Sequence, residues 1–232
     1  SGPEAVLLKG TGQEVSTLLV SGSGAVTVQD IDAQALIVHG GEARLLLTGD
    51  NAIALLQLEE EASLTLEGEG QLVLDAERWL WAHPQTGYTE WQANEYLVEK
   101  YESLGYELVK AGNIPGFYTD IKTGRPGPTL CIMGELDALD IANHPESVNG
   151  MTHCCGHNGQ SAALLGLAAA FKEPGALDGL SGTIRLMAVP AEEMIQLSFR
   201  EELRKQGTIH YMGGKVEFMY RGFFDDVDIA MM

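Results

Sequence analysis

Apolar residues in the first 75 positions fall in short alternating bursts: Ala25-Val26-Thr27-Val28, Ala43-Arg44-Leu45-Leu46-Leu47 and Ala62-Ser63-Leu64-Thr65-Leu66. Alternation at period two is the pattern of a strand with one face covered. Val28, Leu47 and Leu66 are spaced 19 residues apart. A polar turn follows each (Gln29-Asp30, Thr48–Asn51, Glu67–Gly70), and then a second burst: Ala35–Val38, Ile53–Leu56 and Gln71–Leu74. Two strands and Gly-rich turns in a period of about 20 residues are what the stacked rungs of a β-solenoid require, each rung burying its inward side chains on the next. The expectation for residues 1–76 is a short all-β, solenoid-like domain. A sandwich or meander fragment would carry the same bursts without the period.

From Glu77 the pattern changes. Thr89-Glu90-Trp91-Gln92 has the form of a capping box, with Thr89 as N-cap and Gln92 three residues on. Leu97, Tyr101 and Leu104 keep helical spacing until Gly105. Strands are predicted over Tyr106–Lys110, Gly116–Ile121, Thr129–Gly134, Gly182–Val189 and Val227–Met232, and helices over Gln160–Lys172, Ile195–Gln206 and Lys215–Arg221. Strands alternating with helices predict a three-layer α/β domain with a mostly parallel sheet over residues 77–232. In such sheets the chemistry collects beyond the carboxyl ends of strands.

Composition narrows the choice of partners. The chain has 232 residues, 45% hydrophobic and 20% charged, which argues for a folded protein. Its net charge of −19 repels phosphate backbones and anionic membrane surfaces, so neither nucleic acid nor membrane is an expected partner. The longest apolar run, Ala162–Phe171, is interrupted by Gly166 and falls short of the roughly 18 residues of a membrane span. Ser1-Gly2-Pro3-Glu4 has no basic head or apolar stretch. Three cysteines make no disulfide framework. A reducing, cytoplasmic setting is the expectation.

Two strand ends carry candidate chemistry. After Thr129–Gly134 come Glu135, Asp137 and Asp140, and then Thr152-His153-Cys154-Cys155-Gly156-His157-Asn158 just before a helix. Thiolate and imidazole are the donor set that suits zinc and related divalent ions, and a helix N-terminus favours thiolate. A buried structural cysteine with incidental histidines is the bland alternative, but two of each within five residues argue against it. A nucleophilic Cys–His dyad normally draws its histidine from a distant segment, so Cys155 and His157 fit ligation better. After Gly182–Val189 comes Pro190-Ala191-Glu192-Glu193. Adjacent carboxylates at a strand end can divide labour, one on a metal and one on protons.

Four motifs occur in the order and spacing of one family: His83–Glu90, Glu135-Leu136-Asp137-Ala138-Leu139, His153–Asn158 and Pro190–Glu193. The ending Gly222–Met232 adds to them. From about residue 79 onward the chain resembles the amidohydrolase branch of metallopeptidase family 20, the branch of hippurate hydrolase and the p-aminobenzoyl-glutamate hydrolases. The resemblance implies that Cys155, His157 and Glu193 are metal ligands. It implies that Glu192 is the general base that activates a metal-bound water, and that Asp137 orients the site from behind the ligands. It implies a divalent transition metal, manganese or zinc with cobalt or nickel as further options, and up to two ions in the complete family site. The substrate class is a small amide or dipeptide of the N-acyl or N-aroyl amino acid type.

Asn158 and Gln160 stand where the commoner motif has Asp and His, and the Asn form resembles the p-aminobenzoyl-glutamate hydrolase group. His153 has no assigned role. The family's further ligands are histidines expected beyond Met232, so the expectation is a truncated catalytic domain lacking its lid and C-terminal half. An incomplete or split enzyme is then expected, completed by a homo-oligomer or a complementing chain. The competing reading is a non-catalytic binding or assembly module built on the β repeats, such as a carbohydrate-binding one.

Overall fold

The computed structural model describes the backbone of residues 6–9, 14–21, 25–29, 32–39, 44–48, 56–58, 63–66 and 69–232, with side chains from Gln71 onward. The chain divides by its contacts into two units, Ser1–Leu72 and Val73–Met232.

The described strands of the first unit are β1 (Val6–Lys9), β2 (Glu14–Ser21), β3 (Ala25–Gln29), β4 (Asp32–His39), β5 (Arg44–Thr48), β6 (Leu56–Leu58) and β7 (Ser63–Leu66). They pair in the orders β1-β3-β5-β7 and β2-β4-β6, and every pairing is parallel. Val28 is in register with Leu47, and Leu47 with Leu66. The turns read between the bursts lie largely outside the described residues, as do Ile53–Leu55.

One sequence expectation is corrected here. Gln71–Leu74, read as the last apolar burst of a strand, lies inside helix α1 (Glu69–Ala82). Gln71 to Arg78 contains no Gly or Pro, and most of its residues are good helix formers. Ala76 and Leu80, four residues apart, are both buried, so the stretch buries a helical stripe rather than alternate residues.

The second unit continues with α2 (Trp91–Ser103), β8 (Val109–Lys110), β9 (Phe117–Lys122), β10 (Thr129–Glu135), β11 (Leu139–Asp140), β12 (Met151–Thr152), α3 (His157–Ala170), β13 (Thr183–Val189), α4 (Leu197–Lys205), α5 (Gly214–Tyr220) and β14 (Ile229–Met231). The fold is mixed α/β around a five-stranded sheet of order β14-β10-β13-β9-β8. The sheet is parallel through β14, β10 and β13, the last two of which lead into the site, and turns antiparallel at β9 and β8. Among the described residues no helix is long and apolar enough to cross a membrane.

Alternation along β10 and β13 sends side chains to both faces. Cys131, Met187 and Val189 pack with Ile114, Ile209 and Phe218 of α5 on one side. Gly134 faces α3 on the other, where an added Cβ would stand 3.3 Å from the carbonyl oxygen of Gln160.

The capping box at Thr89 is a second correction. Helix α2 starts at Trp91, and its N-cap Glu90 makes no side-chain cap bond. The Thr89 hydroxyl instead donates backwards to the Thr86 carbonyl at 2.7 Å, and the Gln92 N–H is taken by the Gln85 side chain at 2.7 Å. Serine-like hydroxyls compete for nearby backbone carbonyls in this way, so the motif's spacing alone does not secure the cap. Helix α3 begins at His157, three residues before the predicted start, because the Cys–His motif itself supplies the first turn. Gly156 makes that entry in the left-handed region at φ 91°, a conformation glycine takes without Cβ strain.

Candidate active site

Glu135 ends β10, and the loop after it carries Asp137. The main chain fixes this loop on both sides: Leu136 N–H donates to Val189 O at 3.0 Å and Ala138 N–H to Gln85 O at 2.8 Å. His157 enters from the first turn of α3. Its Nδ1–H donates to the Asp137 carbonyl at 2.7 Å and lies 3.2 Å from Asp137 Oδ1, while Nε2 stands 3.0 Å from Glu135 Oε2. The Asp137 carboxylate also accepts the Glu193 N–H through Oδ2 at 2.9 Å. Asp137 thus ties the loop after β10 to the loop after β13, and it is itself almost wholly buried.

The loop after β13 is held in an unusual shape. Ala191 has φ 56° and Gln196 φ 51°, in the left-handed region that side chains normally avoid. Glu90, fully buried, accepts the Ala191 N–H at 2.7 Å. Arg200, also fully buried, donates to Met212 O at 2.7 Å and to the carbonyls of Ala191 and Glu193. Gly214 N–H closes onto Ala191 O at 3.1 Å. A Cβ at Gly214 would run into the Pro190 carbonyl, so glycine there is what lets α5 reach the loop. Strain of this kind persists only where surrounding bonds over-determine it.

These elements bring the sequence-predicted residues together. One donor atom each from Cys155, His157 and Glu193 lie within 4.8 Å of one another, and so do donor atoms from Glu135, His157 and Glu192. Cys155 is exposed, His157 buried, and Glu192 and Glu193 are half-buried. Glu135 and Lys215 were not singled out as site residues from the sequence. The Lys215 ammonium pairs with Glu135 and lies 3.9 Å from Glu192 Oε1. Lys215 is 80 positions from Glu135 in sequence, and only the fold of α5 onto the Pro190 loop joins them. His153 is buried with no hydrogen-bond partner on either ring nitrogen. His210 stands against Glu217 and the Tyr220 ring and belongs to neither triad.

The titration of the cluster follows from this geometry. Burial works against an imidazolium at His157, but hydrogen bonds to Asp137 and Glu135 outweigh it and push its pKa up to about 11. Burial likewise opposes ionisation of Glu135 and is overcome by His157 and Lys215, so its carboxyl titrates below the usual range. Glu192 goes the other way: burial first, then the nearby Glu135 carboxylate, raise it. Cys155 is raised by its hydrogen bond to Glu193 and then by burial. His153 is pushed down to about 4 by burial and by the charge on His157.

The donor set fits a divalent transition ion. A thiolate, an imidazole and a carboxylate converge, and Asp137 holds the His157 Nδ1–H so that Nε2 is the nitrogen left to ligate. Residues 131–223 match the model of peptidase family M20/M25/M40. That span contains the Glu135, His153–Asn158 and Pro190–Glu193 motifs, and the resemblance of the chain to M20 enzymes extends well beyond it. The chain is 32% identical over 163 residues to one of the subunits of p-aminobenzoyl-glutamate hydrolase from Escherichia coli, covering 66% of the chain and 30% of that protein. An aminohydrolase structure from methicillin-resistant Staphylococcus aureus superposes at TM-score 0.55 with 27% identity, over 70% of the chain and 40% of that structure. A Bacillus subtilis M20 structure described as a dinuclear metal-binding peptidase shares the fold at TM-score 0.55 and 24% identity, over 68% of the chain and 40% of that structure. The chain therefore spans 30 to 40% of the length of these M20 relatives.

Proposed function

We propose that the chain carries the metal-binding and proton-transfer groups of a metal-dependent amidohydrolase. Its substrates on this reading are small amides of the N-acyl or N-aroyl amino acid class, or dipeptides. The observation that carries the reading is the convergence of Cys155, His157 and Glu193 with Glu192 alongside. The similarity to p-aminobenzoyl-glutamate hydrolase supports the substrate class.

Cys155, His157 and Glu193 would hold the ion; manganese, zinc, cobalt and nickel all accept this donor set. A bound divalent ion supplies a Lewis acid that polarises the amide carbonyl and makes water a better nucleophile. The protein's own groups do the rest. Glu192, whose raised pKa brings it nearer to neutrality than an ordinary glutamate, takes one proton from the attacking water. The C–O bond forms as the water loses that proton; Glu192 then returns it to the amide nitrogen as the C–N bond breaks, releasing a carboxylic acid and an amine. Asp137 holds the His157 ring by Nδ1 and the Glu193 backbone by its N–H, so both ligands keep their aim.

The solenoid-like reading of the repeats, cut back to the stretch before helix α1, is part of the same proposal. Its support is the all-parallel pairing of β1 to β7 and the register of Val28 with Leu47 and of Leu47 with Leu66, which steps by the interval of the sequence repeat.

The test is bound-metal stoichiometry after loading with manganese or zinc, followed by release of amine from p-aminobenzoyl-glutamate and N-acetyl amino acids. One ion per chain, lost in a Cys155→Ala, His157→Ala double variant, is the expected result. An ion retained equally by that variant, or none retained by the unaltered chain, would overturn the reading.

A further inference from the structure

The two triads of donors share one nitrogen. His157 Nδ1–H is committed to the Asp137 carbonyl, so Nε2 is the only ring atom either triad can use. One lone pair cannot serve two ions. The second triad, Glu135 and Glu192 with His157, is also already supplied with a cation. The Lys215 ammonium pairs with Glu135 and stands 3.9 Å from Glu192.

Glu135 explains why that lysine is needed. Its side chain is 2% exposed and has two cationic partners, His157 Nε2 and Lys215 Nζ. If Nε2 ligates an ion beside Cys155 and Glu193, it no longer carries a proton to give Glu135. A buried carboxylate left without a counter-charge is costly. Lys215 is then the cation that remains on it.

We infer that Lys215 is the resident cation of the Glu135–Glu192 pocket: it occupies the place of a second metal ion there and confines metal binding to the Cys155–His157–Glu193 triad. The inference rests on the proposed reading for where the first ion goes, and the lysine acts through the carboxylates rather than on substrate. It also gives Glu192 a fixed positive neighbour, which a base placed between carboxylates otherwise lacks. Lys215 reaches the pocket from the second residue of α5, whose approach to the Pro190 loop depends on Gly214.

The experiment is Mn²⁺ titration of the full chain, read by the electron paramagnetic resonance of the free aqua ion, with Co²⁺ absorption in the thiolate charge-transfer region as a marker of Cys155. The unaltered chain should take one ion, and Co²⁺ should show the thiolate band. Lys215→Met should take a second Mn²⁺ on the Glu135 and Glu192 carboxylates alone, His157 Nε2 staying with the first ion, with affinity for that pocket raised at least about tenfold, and lose it again when combined with Glu192→Gln. Lys215→Arg, which keeps the charge, should stay at one. Lys215→Gln, which keeps a donor to Glu135 without the charge, serves if the methionine variant does not fold, and should also admit the second ion.

A neutral variant that folds and still takes only one Cys155-dependent ion overturns the inference and leaves the proposed function standing. So does an unaltered chain that takes two ions, the second dependent on Glu192. No ion in the unaltered chain but a Glu192-dependent one in Lys215→Met sinks the Cys155 reading, and with it the confinement of metal to that triad, and leaves only Lys215 as the cation of the Glu135–Glu192 pocket. No ion in either overturns both.

Discussion

Arg185 and His157 are both nearly inaccessible cations, each with a 2% exposed side chain and each set between two acidic side chains. Arg185 sits in the first half of β13; His157 lies beyond the carboxyl ends of β10 and β13. The guanidinium spends every N–H it has. It donates to both Asp120 oxygens at 2.7 and 2.8 Å, to both Asp226 oxygens at 2.7 and 3.0 Å, and to Phe223 O at 2.7 Å, while Tyr118 covers its face at 4.0 Å. Nothing is left over, and an arginine cannot give up its proton. His157 is bonded as fully in the protein alone, yet its Nε2 proton can leave, and an exposed thiol and a half-buried carboxylate stand beside it. Closed bonding makes a brace; exchangeable bonding beside unused donors makes a site.

The largest effect belongs to the exchangeable cluster. Glu192→Gln should lower amide hydrolysis by about 10²- to 10⁴-fold, the usual worth of a placed acid–base group. Its ion content should stay unchanged, because Glu192 is not among the three proposed ligands. The readout is p-aminobenzoate release alongside metal analysis of the same sample. Undiminished turnover in this variant would remove Glu192 from the mechanism.

Arg185→Met probes the closed cluster, and there the expectation is reversed. Removing the buried cation leaves Asp120 and the Phe223 carbonyl without their partner, and losses up to about 3–5 kcal/mol in unfolding free energy are typical of breaking a buried pair. Asp226 is 65% exposed, so Asp226→Asn should cost under about 1 kcal/mol. Urea unfolding followed by tryptophan fluorescence measures both. Metal stoichiometry should be untouched in either variant; a drop would mean that the two clusters are not separable.

The same contrast decides how much was legible in the chain. Cys155 and His157 are two residues apart, and Glu192 and Glu193 are neighbours at a strand end, so local spacing was enough to mark them. The strand–helix alternation was equally legible, because buried β13 and small-residue α3 differ plainly in period. Lys215 was invisible as a site residue: it belongs to a short helix, and its partner Glu135 looked like one of three loop carboxylates. Arg200 and Glu90 were silent for the same reason, since each acts on the Ala191 loop from about 10 and about 100 positions away. Thr89 and Gln71–Leu74 misled because a local pattern lost to a neighbouring competitor, a backbone carbonyl in one case and a continuous helical stripe in the other.

Glu217 extends the comparison along α5, which sends Lys215 to the open cluster and keeps Glu217 in a closed one. Its side chain is fully enclosed, bonded to Arg221 Nε at 2.8 Å and to the N–H groups of His210 and Tyr211 at 2.7 and 2.9 Å. Burial opposes its ionisation, but the Arg221 bond and the two N–H bonds prevail, and its pKa falls below the ordinary value. A depressed folded pKa means stability that is complete above the unfolded value, about 4.5, and is lost as pH falls through the folded one. Glu217→Gln should therefore cost about 2–3 kcal/mol at pH 7 and remove this group's share of the acid sensitivity. Urea midpoints from pH 7 to pH 3 report the slope, and parallel curves for the two proteins would refute the assignment.

Glu90 is the smallest and the most diagnostic case, because it is a buried acid with no cation bonded to it. Burial, and then the charge of Asp137, raise its pKa well above the ordinary value, so the folded protein keeps its proton where the unfolded chain sheds it. The sign is opposite to that of Glu217: the contribution is complete below about pH 4.5 and is lost as pH rises towards the folded pKa. Glu90→Gln resembles the neutral acid and keeps an oxygen for the Ala191 N–H, so it should change stability by less than about 1 kcal/mol at pH 5 and gain on the unaltered chain as pH rises. Glu90→Leu removes the acceptor, strands a buried N–H at a residue held at φ 56°, and should cost about 1–3 kcal/mol. If Glu90 acts only as local packing, metal affinity will be the same in both variants. If it holds the Pro190–Glu193 loop in ligating shape, the leucine variant alone will bind the ion more weakly, and the strained loop will belong to the site rather than to the brace.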